Sequence, residues 1–268
     1  MKPVLLAATL ALLALTDKGA AHEFWIDPED FMIDVGEGLS AQLRVGTEFE
    51  GSPMSYVPRR FETFVVLNGG DTVEVEGRIG DIPALAMEGL SDGLAVVVHQ
   101  TGVSELEWSE WQRFLDFAIH KDLGDVTAMH EERGLSQEGV REDYIRYAKS
   151  LVAVGDGAGA DARYGMRAEL VALDNPYTDA LDGTISMELW YDDELRPDYQ
   201  VELFAEDAEG NVEITYHRTD ADGIVHLPVE PGMIYMADSV FLEAVEPAEE
   251  GDAIWVTHWA NMTFAVPG

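Results

Sequence analysis

This sequence predicts a mainly β chain: two Ig-like β-sandwich domains with a helical insert between them. Three observations point there. Short runs of branched and aromatic residues recur between Gly-, Asn- and Asp-rich turns. A central stretch breaks that rhythm with apolar residues at helical spacing. The 268 residues include no cysteine, while 47% are hydrophobic, so any core must hold by packing without disulfides.

Taken in order, residues 1–21 read as a secretory signal. Lys2 gives a positive start, Val4 to Leu15 is an apolar run too short for a permanent span, and Gly19-Ala20-Ala21 supplies small residues for cleavage. Cleavage after Ala21 makes His22 the first residue and places the protein in the periplasm or outside the cell. Residues 22–103 then read as the first sandwich. Ala41 to Phe49 alternates loosely, and Phe61 to Leu67 is aromatic and branched. Asn68-Gly69-Gly70-Asp71 is a hairpin turn leading into Thr72 to Glu76, and Leu94 to His99 is a continuous apolar strand.

Residues 104–160 read as the helical insert. Leu106, Trp111, Phe114, Leu115, Ala118 and Ile119 recur at helical spacing over 105–123, with Ser104 as a cap. A second helix is expected over 137–152, with Val140, Tyr144, Tyr147, Ala148 and Leu151 on one face. Asp156-Gly157-Ala158-Gly159-Ala160 reads as a flexible break. Residues 161–268 return to β, with strands over 166–173, 184–191, 199–205, 212–218, 224–229, 233–236, 240–244 and 253–266.

Charge narrows the partners. Sixteen Lys and Arg face 52 Asp and Glu, a formal charge of -36. Such a surface repels nucleic acid and anionic membrane alike. It attracts cations, and without cysteine any metal must be held by His, Met, carboxylate, backbone or the N-terminus.

Two resemblances add to this reading. Thr219-Asp220-Ala221-Asp222-Gly223, a strand, then Pro231-Gly232 and Tyr235 resembles the turn-strand-turn signature of carboxypeptidase-regulatory, transthyretin-like sandwiches. Five further segments look like an uncharacterised family of exported bacterial proteins. They are His22 to Pro28, Phe114 to Leu123, Arg141 to Gly155, Asn175-Pro176-Tyr177 and Trp259 to Phe264. That family is usually described as a periplasmic component of nickel or cobalt uptake. The resemblance implies two Ig-like sandwiches and a metal-related role beside a membrane metal transporter. Related nickel-uptake components bind metal at a processed N-terminus, which carries over to His22 alone.

An N-terminal His offers its α-amine and ring Nδ1 to one divalent transition metal ion: nickel, cobalt or copper. His99, at a strand end, and His258, between Trp255 and Trp259, are the histidines that would complete the set if the N-terminal strand runs beside them. His120, His130, His217 and His226 fit a metal less well, although His217 and His226 flank one Asp-rich turn. Asp220-Ala221-Asp222-Gly223 lacks the ligands of a calcium loop and reads as a hairpin turn. Gly89-Leu90-Ser91-Asp92-Gly93 fits the nucleophile-elbow spacing without its strand-turn-helix context, so it also reads as a turn. Asp27 with Glu29, and Asp207 with Glu209, are close carboxylates of the kind glycosidases use. The expectation is therefore a metal-binding protein and not an enzyme. The alternatives are an interaction or glycan-binding module without metal, and a carbohydrate hydrolase acting through Asp27 and Glu29.

Overall fold

The structure is a computed structural model and describes residues 22–249 and 251–268. The expected signal at 1–21 lies outside the described residues. The strands are β1 (Glu23–Pro28), β2 (Met32–Ile33), β3 (Leu39–Thr47), β4 (Glu50–Met54), β5 (Phe61–Asn68), β6 (Asp71–Glu74), β7 (Leu85–Met87), β8 (Gly93–Thr101) and β9 (Ser104–Glu107). Helices α1 (Trp111–His120) and α2 (Val126–Glu132) follow. Then come β10 (Arg141–Val154), β11 (Ala168–Ala172), β12 (Thr184–Tyr191), β13 (Glu194–Leu195), β14 (Gln200–Glu206), β15 (Val212–Arg218), β16 (Ile224–Pro228), β17 (Ile234–Ala244) and β18 (Trp255–Ala265). The chain is mainly β, as the turn spacing predicts, and two helices lie in its middle.

One ten-stranded sheet runs through both halves of the chain, in the order β15-β14-β17-β18-β10-β8-β5-β6, with β2 and β9 also on β10. Its two faces carry the two smaller sheets. On one face, Val98, Leu151, Phe241 and Met262 pack with Leu170, Met187 and Leu189 of β11 and β12. On the other, Val66, Val97, Ala148 and Val152 pack with Phe24, Ile26, Leu39 and Leu43 of β1 and β3. The two sandwich cores thus share their middle layer. An aromatic cluster of Trp108, Phe114 and Trp255 joins the helices to that layer.

The β5–β6 hairpin closes as its sequence predicts. Asn68 pairs with Asp71 across Gly69 and Gly70, whose φ values of 61° and 88° suit a turn that a side chain would strain.

The second helix expected over 137–152 is instead β10, the central strand of the large sheet. It pairs in parallel with β18 and antiparallel with β8 and β9. Both of its faces are covered, so its apolar residues do not alternate, and their spacing mimics a helix. The helix expected from residue 105 begins only at Trp111, because Ser104–Glu107 pairs with β10 as β9. The Gly-rich stretch at 156–160 is tied down rather than loose. Asn175 Nδ2 donates to the carbonyls of Gly157 and Gly159, and Leu94 N–H donates to Ala158. The strands expected over 233–236 and 240–244 form one continuous strand, β17. Among the described residues, no helix is long and apolar enough to cross a membrane.

Candidate functional site

Lys121 follows the last turn of α1 and turns inward, 5% exposed. Its ammonium donates to Glu23 Oε1 at 2.8 Å, Glu202 Oε2 at 3.0 Å and Asp238 Oδ2 at 3.2 Å. It also sits 4.9 Å from the centre of the Trp259 ring. Four elements place these groups: β1 brings Glu23, β14 Glu202, β17 Asp238 and β18 Trp259. The end of α1 is held there by Gln200, whose Nε2 donates to the His120 carbonyl at 2.8 Å, and by the Arg218–Asp122 ion pair.

Burying a charge is costly unless it is paired. Burial alone would lower the Lys121 pKa; the charges of Asp238, Glu23 and Glu202 outweigh it and raise the value above the ordinary lysine range. Three carboxylates around one ammonium leave negative charge in excess. Burial is the first cause pushing Asp238 up to about 7 and raising Glu202 as well.

Glu23, Glu202 and Asp238 are the one set of three or more such groups, among the described residues, whose oxygens or nitrogens lie within 4.8 Å of one another. The Lys121 ammonium bonds all three, so they already share a cation of the protein's own.

Beside this cluster opens a cleft of about 520 Å³. Trp108, Phe117, Phe204 and Tyr216 form aromatic walls; Glu48, Arg113, Asp116 and His120 add polar groups. The walls are braced by stacking: Trp108 on Phe117 at 5.3 Å and Phe117 on Trp259 at 5.7 Å between ring centres. Trp108 Nε1 donates to the buried Glu142 at 2.8 Å, which fixes the indole plane. His120 reaches Glu202 at 3.4 Å and Tyr216 Oη at 3.4 Å. Burial, then the Lys121 charge, lowers its pKa, so the ring is neutral near pH 7. A comparable cleft of about 580 Å³, beside Arg141, Glu107 and Glu246, is walled by charged surface and has no aromatic platform.

The three histidines expected to share a metal are dispersed. His22 opens the described chain, and its carbonyl accepts from Arg146 Nη2 at 2.9 Å. His99 is fully buried on the face of the central sheet that β1 covers, against Phe24, Phe61 and Phe64. His258 lies on the opposite face, against Tyr147 Oη at 3.1 Å, Arg167 at 3.1 Å and Glu243 at 3.2 Å. The structure does not bring the three together. His217 on β15 and His226 on β16, which flank the Asp-rich turn, belong to different sheets.

Asp27 is paired with Arg44 at 2.5 Å, Glu29 is exposed, and neither lines the aromatic cleft. Asp207 and Asp220 accept backbone N–H groups within their own turns. Ser91 sits in an exposed loop held to Asn68.

Sequence reading does not single out Lys121, Glu23, Glu202 or Asp238. The sequence does carry a signal: Glu202 interrupts the run Val201 to Ala205 and Asp238 the run Tyr235 to Leu242, where a charge among apolar neighbours must have a partner.

No curated protein matches this chain. One similar solved structure is the crystal structure of a tetra-tandem repeat in the extending region of a large adhesion protein. It shares 14% identity, with a TM-score of 0.21, over 91% of this chain and 49% of that one. The chain therefore spans about half the length of that structure. A family model described as a domain of unknown function, DUF4198, matches residues 19–241, and the chain belongs to that family.

Proposed function

We propose that this is an exported binding protein whose aromatic cleft beside Lys121 holds a small polyhydroxylated ligand, one or two sugar units. The observation that carries this reading is the pairing of stacked aromatic walls with carboxylate, imidazole and guanidinium groups around one cleft. Aromatic faces cover the C–H faces of a sugar ring, and a few placed polar groups bond its hydroxyls. The buried Lys121 cluster fixes the walls in advance, which reduces the ordering cost of binding. The test is calorimetric titration of the whole chain with maltose, cellobiose and diacetylchitobiose, followed by chromatography of the sugar. Saturable binding that weakens in Tyr216→Ala and Asp116→Asn, with the sugar intact, is the expected result. No binding of any of the three, or their cleavage, overturns the proposal.

A second reading keeps the metal. The expected cleavage would give His22 a free α-amine, and Arg146 fixes the carbonyl of the same residue. A nickel, cobalt or copper ion would then be held at His22, for delivery to a membrane transporter. Titrating the three metals into protein that begins at His22, beside a version with one extra residue, separates the two readings. Affinity lost on extension supports the metal site.

A further inference from the structure

We propose a second binding site, for an organic monocarboxylate with an apolar body, in the cleft between the small N-terminal sheet and β5, β8 and β10. The site shares no lining residue with the Lys121 cleft. It encloses about 560 Å³. Phe24, Phe61 and Tyr144 supply apolar wall, Arg59, Arg60 and Arg146 supply positive charge, and Glu105 is the one carboxylate that lines it. Three of the chain's sixteen basic residues meet here, in a protein with 52 acidic ones.

Two side chains on this cleft carry buried atoms that make no hydrogen bond among the described residues. Both ring nitrogens of His99, which is 0% exposed, make no hydrogen bond. The Nε of Arg146 is likewise unbonded, although its Nη2 holds the His22 carbonyl. Leaving such a group unmade costs on the order of 1–3 kcal/mol, so unmade pairs on one cavity wall point to a ligand that completes them. The Arg146 guanidinium is stacked over Tyr144 at 4.5 Å and lies 5.9 Å from Phe24. That fixes the plane of a group suited to the planar fork of a carboxylate. His99 is held neutral by burial, its pKa lowered to about 3. A neutral ring still offers one N–H donor without bringing a second charge into the core. The strongly negative field of the whole protein favours a monoanion over a dianion such as a phosphate monoester.

The test titrates the whole chain calorimetrically with benzoate and octanoate, against benzamide and phenyl phosphate. Benzoate or octanoate should bind, with benzamide and phenyl phosphate at least about tenfold weaker. Arg59→Gln/Arg60→Gln alters exposed side chains and leaves the core intact. That pair and His99→Leu should each lower affinity about tenfold, while Arg78→Gln, at a fully solvated arginine, should not. Equal binding of benzamide, tighter binding of phenyl phosphate, no carboxylate binding at millimolar concentration, or unchanged affinity in both R59Q/R60Q and H99L would each overturn the proposal.

Discussion

The ammonium of Lys121 lies 2.8 Å from the carboxylate of Glu23, a residue 98 positions earlier in the chain. The contact joins the first strand of the small N-terminal sheet to the end of α1. Through Glu202 and Asp238 the same ammonium ties both to the large sheet. The aromatic cleft stands on this junction, so its shape depends on a buried charge balance as well as on packing.

Lys121→Met should therefore be strongly destabilising. It removes the cation and leaves three buried carboxylates facing one another, a loss of about 3–5 kcal/mol for a broken buried pair. Urea unfolding at pH 7 measures it. The penalty should shrink at pH 5.5: the Lys121 charge holds the Asp238 and Glu202 pKa values down, so without it the carboxylates take up protons more readily than in the parent, and lowering the pH relieves their repulsion. A loss under about 1 kcal/mol at pH 7 would show that the cluster does not hold the junction.

How much of this was legible in the sequence follows from where each residue faces. The hairpin at Asn68-Gly69-Gly70-Asp71 and the strands of the C-terminal half could be read because turn chemistry is local. β10 could not, since covering both faces of a strand erases the alternation that marks it. Tyr144, Tyr147, Ala148 and Leu151 then fall at helical spacing by coincidence. Residue type alone marks His22, His99 and His258 as candidates, and type says nothing about which side of a sheet a ring faces. Lys121 was hidden because its partners converge from three separate strands.

Glu142 should make stability fall as the pH rises. It is fully buried, accepting from Trp108 Nε1 and Thr257 Oγ1, and burial raises its pKa from 4.5 to about 7 despite those bonds. Between those values the folded state holds a proton that the unfolded state has lost, so the slope is negative. Its contribution is on the order of 3 kcal/mol and is gone above pH 7. Glu142→Gln keeps an acceptor for Trp108 and carries no charge. Its stability relative to the parent should rise from pH 4.5 to pH 7; a flat difference would place the carboxylate outside this balance.

His99 acts in the opposite sense. Its folded pKa, lowered to about 3, lies below the ordinary 6.5, so the unfolded state binds the extra proton in that window. Stability present above about pH 6.5 is lost as the pH falls toward 3, by on the order of several kcal/mol. His99→Leu removes the titrating ring and its two unbonded nitrogens. The variant should gain about 1–3 kcal/mol at pH 7 and gain more on the parent at pH 4.5, measured by thermal unfolding at both. An equal gain at the two pH values would mean that the ring is accessible to protons in the folded state.

The placement of the histidines makes a sharp prediction for metal binding. His99 faces the β1 side of the central sheet and His258 the other, where Tyr147, Arg167 and Glu243 already bond both of its ring nitrogens. A single ion cannot reach both rings through an intact sheet. Nickel, cobalt or copper binding that disappears when a residue is added before His22 should therefore stay within about threefold of the parent in His99→Leu and in His258→Gln. A threefold change is well under the 1.4 kcal/mol that separates tenfold steps in affinity, whereas loss of a coordinating imidazole exceeds it. The measurement is calorimetry on the three proteins, each verified to begin at His22. A tenfold loss in either variant would place that histidine in the coordination sphere and would require the N-terminal strand to leave the position it holds here.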